Sequence, residues 1–209
     1  MRDLNAFVLS ELPPPPARVL EVGCGEGTLA RALDAAGYEV TAIDPQAPEG
    51  AIFRRVALEA LAEQGPFDAV VASRSLHHVH DLAAGVEKIA GLLPPGGLLV
   101  VDEFAWDRLD EATADWYYGQ LRALAAARGQ AAPASLDACR HDWAAEHEGL
   151  HGYDALRAEL DRRFDERSFA WTPQLHRYLE GATGPVLEQA LIDAGAICAL
   201  GFRYAGTRP

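Results

Sequence analysis

The stretch Arg18-Val19-Leu20-Glu21-Val22-Gly23-Cys24-Gly25-Glu26-Gly27 decides the fold. Its first half is an apolar run of strand length, and glycines at every second position follow it directly. Residues 28–36 then have the pattern of a helix, with Gly37 as its stop signal. A strand, a glycine-rich turn and a helix in this order allow the backbone to approach a nucleotide-like ligand closely.

Strand and helix patterns alternate five times between residues 18 and 102. Beyond the first strand and helix, strands are predicted at 38–43, 52–56, 67–72 and 98–102, and helices at 58–64 and from Asp81 to Leu93. This alternation is typical of a parallel sheet covered by helices on both faces. A short helix is also predicted at 3–12, where four consecutive prolines end it.

The alternation stops after residue 102. Three helices are predicted at 107–128, 135–148 and 153–163, followed by a strand at 164–171, a helical stretch at 174–194 and a last strand at 197–204. The sequence contains no internal repeat and no clear linker. It therefore predicts one α/β domain with a helical insertion.

The composition excludes several classes of protein. The 209 residues are 49% hydrophobic, which is ordinary for a globular domain, and no apolar run approaches the roughly 18–20 residues that a membrane span needs. The net charge of −13 repels phosphate backbones and anionic membranes, so neither is an expected partner. The three cysteines lack metal or redox spacing and no signal-peptide core is present, which predicts a cytoplasmic location. Oligomeric state is not indicated.

Asp44 ends the second predicted strand, 21 residues after Gly23. A carboxylate at that position can accept hydrogen bonds from both hydroxyls of a ribose. The dinucleotide fingerprint Gly-x-Gly-x-x-Gly requires glycine or alanine where this chain has Thr28. The alternating glycines therefore disfavour an NAD-dependent oxidoreductase, which stays open as an alternative.

Residues 19–27 resemble the first motif of class I S-adenosylmethionine (SAM)-dependent methyltransferases. Further segments are similar to that family, namely Val40–Asp44, Phe67–Ala72, Leu76-His77-His78-Val79 and the turn Leu92–Val100. The resemblance is close over roughly residues 18–103 and looser over 184–204. It implies a Rossmann-like, seven-stranded sheet with an antiparallel last strand, SAM as methyl donor and S-adenosylhomocysteine (SAH) as product.

The resemblance also divides the chain by function and assigns residues to the cofactor. It implies a SAM-binding core at 1–104, a helical lid and acceptor region at 105–180 inserted after strand five, and the last helix and strand at 181–209. Ala57 stands where the family's pattern has an aspartate, which changes the expected adenine contact at Leu58 or Glu59. The expected cofactor-binding residues are Glu21, Gly23, Cys24, Gly25, Asp44, Pro45, Leu58, Glu59 and Ser73.

Histidines follow the fourth strand, at the edge where open α/β sheets bind ligands. Methyl transfer to a hydroxyl or an ammonium requires removal of a proton, and the pKa of imidazole lies near neutrality. His78 or His77 is the expected catalytic base, and Glu103, beyond the fifth strand, is a second candidate. In the alternative interpretation the histidines only pack against the cofactor or cap the next helix.

All four tryptophans and four of the six tyrosines lie within residues 105–178. They form the core of the insertion or line, in part, a pocket for a flat or apolar small molecule. Trp106, Tyr117, His147 and His151 are the candidate substrate-binding residues. A small-molecule acceptor is expected, because a lid of this size obstructs a protein or nucleic acid.

Residues 147–151 match the zinc-protease motif His-Glu-x-x-His. Gly149 and Gly152 weaken the helix that this motif requires, so no metal is expected. The sequence therefore predicts methyl transfer from SAM to an O, N or C nucleophile of a small molecule. A non-catalytic SAM-binding or partner protein is the second alternative.

Overall fold

A computed structural model describes residues 3–62, 64–179 and 184–209. The strands in these ranges are β1 Arg18–Val22, β2 Glu39–Asp44, β3 Phe53–Arg55, β4 Ala69–Ser73, β5 Leu98–Phe104, β6 Asp165–Thr172 and β7 Gly201–Thr207. The helices are α1 Leu4–Glu11, α2 Thr28–Ala35, α3 Leu82–Leu92, α4 Glu111–Arg128, α5 Leu136–Glu146, α6 Tyr153–Arg163 and α7 Pro185–Asp193. Short 3₁₀ turns occupy Leu58–Ala60, Leu76–His78, Trp106–Arg108 and Leu175–Arg177.

The seven strands form one sheet in the order β3-β2-β1-β4-β5-β7-β6. The pairs from β3 to β5 are parallel. β7 runs antiparallel to β5, because the amide of Gly96 donates to the carbonyl of Arg208 and the amide of Ala105 donates to that of Leu200. The predicted Rossmann-like α/β sheet of seven strands, with an antiparallel last strand, is therefore confirmed.

Local sequence explains where the first helices begin. Gly27 precedes α2 with a left-handed φ of 79°, and Leu29, Ala30 and Leu33 lie buried on one face of that helix. Asp81 caps α3 as predicted, because its side chain accepts a hydrogen bond from the amide of Ala84.

Among the described residues, none of the helices combines the length and the apolarity that crossing a membrane requires.

Three predicted boundaries differ from the structure. The helix expected at 58–64 is a single 3₁₀ turn, with residue 63 outside the described ranges. The helical stretch expected at 174–194 is a 3₁₀ turn followed by α7, and residues 180–183 are not described. The last strand begins at Gly201 rather than at 197, because the amide of Cys198 donates to Thr113 Oγ1 instead of joining the sheet.

The chain divides into two compact units. The first comprises Met1–Glu103, Asp154–Ala170 and Arg203–Pro209, and the second comprises Phe104–Tyr153 and Trp171–Phe202. The sequence grouped 105–180 as one lid, whereas α6 and most of β6 belong to the first unit. The reason is that β6 is a strand of the sheet and that Leu156 and Leu160 of α6 are completely buried.

Candidate functional site

The glycine loop, residues 23–27, follows β1 at the carboxyl edge of the parallel strands. The amides of Gly23 and Cys24 donate to the carbonyl of Ile43 in β2. Gly23 has a φ of 76°, and a Cβ atom there would lie 2.2 Å from the Cβ of Ser75. Glycine is therefore required at this position both by the backbone conformation and by the close approach of the turn that follows β4.

Asp44 holds the glycine loop from the end of β2. Its Oδ2 accepts from the amide of Gly25 at 3.0 Å, and its Oδ1 accepts from the amide of Gln46 at 2.7 Å. Each carboxylate oxygen can accept more than one hydrogen bond, so both keep the capacity to accept from a ligand. The carboxylate that the sequence assigned to a ribose thus also fixes the loop beside it.

A cavity of about 330 Å³ opens at this edge of the first unit. Of the predicted cofactor-binding residues, it is lined by Gly23, Asp44, Pro45, Leu58 and Glu59. Gly25 lines a neighbouring recess that shares Asp44 with it. The lining residues that sequence reasoning missed are Val22, Ile43, Gln46, Val56, Ala57, Arg74, Ser75 and Val79. Most of these lie next to predicted strand ends, which is the signal that could have found them.

The cavity wall after β3 is apolar. Val56, Ala57 and Leu58 form it, and Ala57 leaves no carboxylate at the position where the resemblance expects one. The carboxylate of the nearby Glu59 is already used by the protein, because its Oε1 accepts from the amide of His80 at 3.2 Å. Lys88 Nζ also donates to the carbonyl of Glu59. A flat apolar ring matches this wall better than a charged group does.

Three other predicted cofactor residues are not among those that line the cavity: Glu21, Cys24 and Ser73. Glu21 is buried and its Oε2 has no hydrogen-bond partner among the described residues. Burial raises the pKa of Glu21 to about 8, the charge of Asp44 adds to this rise, and a hydrogen bond from the backbone of Ala30 opposes it. Burial likewise raises the pKa of the Cys24 thiol to about 12, so Cys24 is a packing residue and a poor nucleophile.

His77 and Glu103 form a buried pair in which Nδ1 and Oε2 are 2.6 Å apart. The other carboxylate oxygen of Glu103 accepts from the amides of Ser75 and Leu76. Three donors thus occupy this carboxylate, which holds the turn after β4 in place. Neither His77 nor Glu103 is among the residues that line the cavity.

His78 is exposed and lines the cavity, with its ring centroid 4.1 Å from that of His77. Partial desolvation by the cavity wall lowers the pKa of His78, and the neighbouring His77 lowers it further, whereas Glu103 raises it. The ring is therefore mostly neutral at pH 7 and able to accept a proton. Of the three predicted catalytic residues, His78 is the one that lines the cavity.

The second unit contains an aromatic cluster that includes three of the four predicted substrate-binding residues. The rings of Trp106 and His147 are stacked with centroids 5.7 Å apart, and Tyr117 meets Trp143 edge to face. His147 is buried; its Nδ1 lies 2.7 Å from the carbonyl oxygen of Trp143, and its Nε2 lies 3.2 Å from the hydroxyl of Tyr178. Burial raises the pKa of Tyr117. These contacts are those of a core.

The segment that matches the zinc-protease motif is not helical. α5 ends at Glu146, so His147 and His151 both lie in the connection to α6, and Gly149 has a φ of 83°. The two histidines therefore lack the one-turn spacing on a helix face that the motif requires. In the described part of the chain, no group of three or more histidine, cysteine, aspartate or glutamate side chains could hold a metal ion.

Comparison with known proteins identifies the family. A family model described as a methyltransferase domain matches residues 1–133. A ubiquinone biosynthesis O-methyltransferase of Xylella fastidiosa is 43% identical over 111 residues, which are 46% of this chain and 45% of that protein. The match thus spans less than half the length of this curated relative.

Solved structures share the fold over almost the whole chain. A SAM-dependent methyltransferase from Mesorhizobium loti superposes with a TM-score of 0.61 at 19% identity, covering 97% of this chain and 96% of that one. A geranyl diphosphate C-methyltransferase from Streptomyces coelicolor superposes with a TM-score of 0.61 at 14% identity, covering 98% of this chain and 78% of that one. With its family model matched over residues 1–133 of 209, the chain belongs to the family of methyltransferase domains and has the fold of the class I SAM-dependent enzymes.

Proposed function

We propose that the chain transfers a methyl group from SAM to an O, N or C nucleophile of a small molecule. The observation that carries the proposal is the cavity, which has the glycine loop and Asp44 on one side and the apolar residues 56–58 on the other. When bound, SAM supplies a methyl carbon made electrophilic by its sulfonium. The protein then has to align the acceptor, exclude water and accept a proton where the acceptor carries one.

The residues around the cavity fit this cofactor. Asp44 retains acceptor capacity for the two hydroxyls of a ribose, and the wall of Val56, Ala57 and Leu58 suits a purine ring. Within the part of the chain that the structure describes, the buried Oε2 of Glu21 has no hydrogen-bond partner, and an ammonium or another donor would satisfy it. We therefore keep Glu21 in the cofactor site as a buried acceptor behind the glycine loop.

His78 is the base in this proposal. Its ring lines the cavity and is mostly neutral at pH 7, which is the state that removes a proton from a hydroxyl or an ammonium. His77 and Glu103 act through the turn that carries His78 and are positioning residues. Ser73 and Cys24 remain predicted cofactor contacts, although neither is among the residues that line the cavity.

The acceptor is proposed to be a small molecule, and a hydroxyl acceptor is the first to test. The name of the curated relative specifies O-methylation, but the aligned 45% of that protein does not carry its substrate over to this chain. Trp106, Tyr117, His147 and His151 remain the candidates for acceptor contacts. The net charge of −13 supports the prediction that nucleic acids and membranes are not partners, and the three free cysteines support a cytoplasmic location.

Calorimetric titration of the purified protein with SAH, with NAD as the control ligand, tests the cofactor. Micromolar binding of SAH alone supports the proposal. Binding of NAD, or of neither ligand, contradicts it. Turnover of SAM with a panel of hydroxyl, amine and carbon acceptors comes next, and SAH binding without any turnover would favour the non-catalytic alternative.

A further inference from the structure

We infer that Arg74 is the carboxylate-binding residue of the cavity, an inference that rests on the proposed function. Arg74 follows β4 directly and lines the cavity together with Ser75 and His78. Among the lining residues it carries the only permanent positive charge, in a chain whose net charge is −13. Sequence reasoning assigned no role to it.

The side chain of Arg74 has no hydrogen-bond or ion-pair partner within residues 3–62, 64–179 and 184–209. Asp44 and Glu59 line the same cavity, and neither of them forms an ion pair with Arg74. Asp44 accepts from the amides of Gly25 and Gln46 instead, and Glu59 accepts from that of His80.

The backbone at Arg74 is strained. Its φ of 49° makes it the only residue other than glycine with a positive φ in the described part of the chain. That conformation is less favourable for a residue with a side chain than for glycine, because the Cβ atom approaches the following carbonyl oxygen. Neighbouring hydrogen bonds maintain it, from the amide of Arg74 to the carbonyl of Asp102 and from the amide of Ser75 to Glu103. Strain of this kind at a cavity wall indicates a functional side chain.

An arginine matches one ligand chemistry particularly well. Its planar fork of N–H donors pairs with the two oxygens of a carboxylate, and such charge-assisted bonds are among the stronger ones in proteins. Two sources can supply the carboxylate in this cavity, the amino-acid end of the cofactor or an anionic acceptor. The experiment separates the two.

The first arm measures the affinity of the protein for SAH and for 5′-methylthioadenosine, which keeps the adenosine and the thioether but lacks the amino-acid end. The second arm titrates SAH-saturated protein with 4-hydroxybenzoate and with 4-hydroxybenzyl alcohol, which lacks the carboxylate. Arg74→Asn is the main variant, since asparagine tolerates a positive φ and the fold is retained. Arg74→Lys keeps the charge without the fork, and Arg140→Asn removes an exposed arginine of α5 as the matched control.

If the cofactor supplies the carboxylate, Arg74→Asn weakens SAH binding about 10-fold and leaves 5′-methylthioadenosine binding unchanged. If the acceptor supplies it, the same variant loses the preference for 4-hydroxybenzoate over the alcohol and binds SAH normally. In either case the affinity that Arg74→Lys shows for the carboxylate ligand lies between those of wild type and Arg74→Asn. The melting temperature of Arg74→Asn stays equal to that of wild type or rises, because the backbone strain is relieved. The inference is overturned if Arg74→Asn behaves as Arg140→Asn does in both arms. Wild-type protein that binds neither nucleoside would instead refute the proposed function itself.

Discussion

Single residues at the carboxyl edge of the sheet both hold the chain in place and line the cavity. Asp44 illustrates this, because it holds the amides of Gly25 and Gln46 while its remaining acceptor capacity faces the cavity. We expect Asp44→Ala to weaken SAH binding by roughly 1–3 kcal/mol, since the ribose hydroxyls would lose their acceptor. Calorimetry measures the change, and Asp34→Ala on the exposed side of α2 is the control. An unchanged affinity would remove Asp44 from the site.

His78 is distinguished from its neighbours by its place in the cavity wall. We expect His78→Ala to lower turnover about 10²–10⁴-fold with little effect on SAH affinity. His80→Ala, an exposed change two residues away, serves as the control. Because the pKa of His78 is lowered from 6.5, the acidic limb of the pH–rate profile should lie below pH 6.5. A loss confined to SAH affinity would make His78 a packing residue.

Glu21 couples stability to pH. Its pKa is about 8 in the folded chain against 4.5 as the ordinary value, so the folded state keeps a proton that the unfolded state releases. Stability from this group is therefore present below pH 4.5 and is lost as the pH rises towards 8. We expect Glu21→Gln to be about 1–3 kcal/mol more stable relative to wild type at pH 8.5 than at pH 4.5.

Denaturant unfolding of the ligand-free protein at the two pH values measures this difference. Glu26→Gln, an exposed carboxylate of the same loop, is the control for the loss of a negative charge. If wild type and Glu21→Gln keep the same stability difference across the pH range, Glu21 is ionised in the folded chain and burial does not raise its pKa.

At the scale of elements, two 3₁₀ turns are stabilised in the same way, by a buried glutamate. Leu76–His78 after β4 is held by Glu103. Leu175–Arg177 after β6 is held by Glu188, which accepts from the amides of Gln174, Leu175 and His176. The Nδ1 of each first histidine, His77 or His176, also meets its glutamate. In both places a buried carboxylate organises the chain as it leaves a strand.

We expect Glu188→Ala to lower the free energy of unfolding by about 2–4 kcal/mol, because it leaves two buried amides and one partly buried amide without an acceptor. Asp193→Ala, an exposed carboxylate at the end of the same helix, should cost less than about 0.5 kcal/mol. Denaturant unfolding compares the two variants. Equal effects would mean that water replaces the carboxylate and that the turn does not depend on it.

At the scale of the whole molecule, the individual strands and helices were predicted better than their division between the two compact units. The strands of residues 18–102 follow from apolar runs and turn signals, which are local properties. Residues 105–180 read as one insertion, yet α6 and most of β6 belong to the first unit. A strand that completes a sheet from a distant part of the chain has the same local pattern as one that does not, so this assignment needed the tertiary structure.

The sequence by itself determined the parallel sheet, the position of the glycine loop after its first strand and the position of Asp44 at the end of its second. The reason is that strand periodicity and glycine turns depend on residues close together along the chain. Only the tertiary structure decided which neighbours of a motif meet the cavity. It showed that His78 is exposed and His77 buried, and that Glu103 accepts from three donors. It also showed that Arg74 has a positive φ and that its side chain has no partner in the described part of the chain. The physical reason is that burial and hydrogen-bond pairing depend on residues far apart in sequence, which no local pattern records.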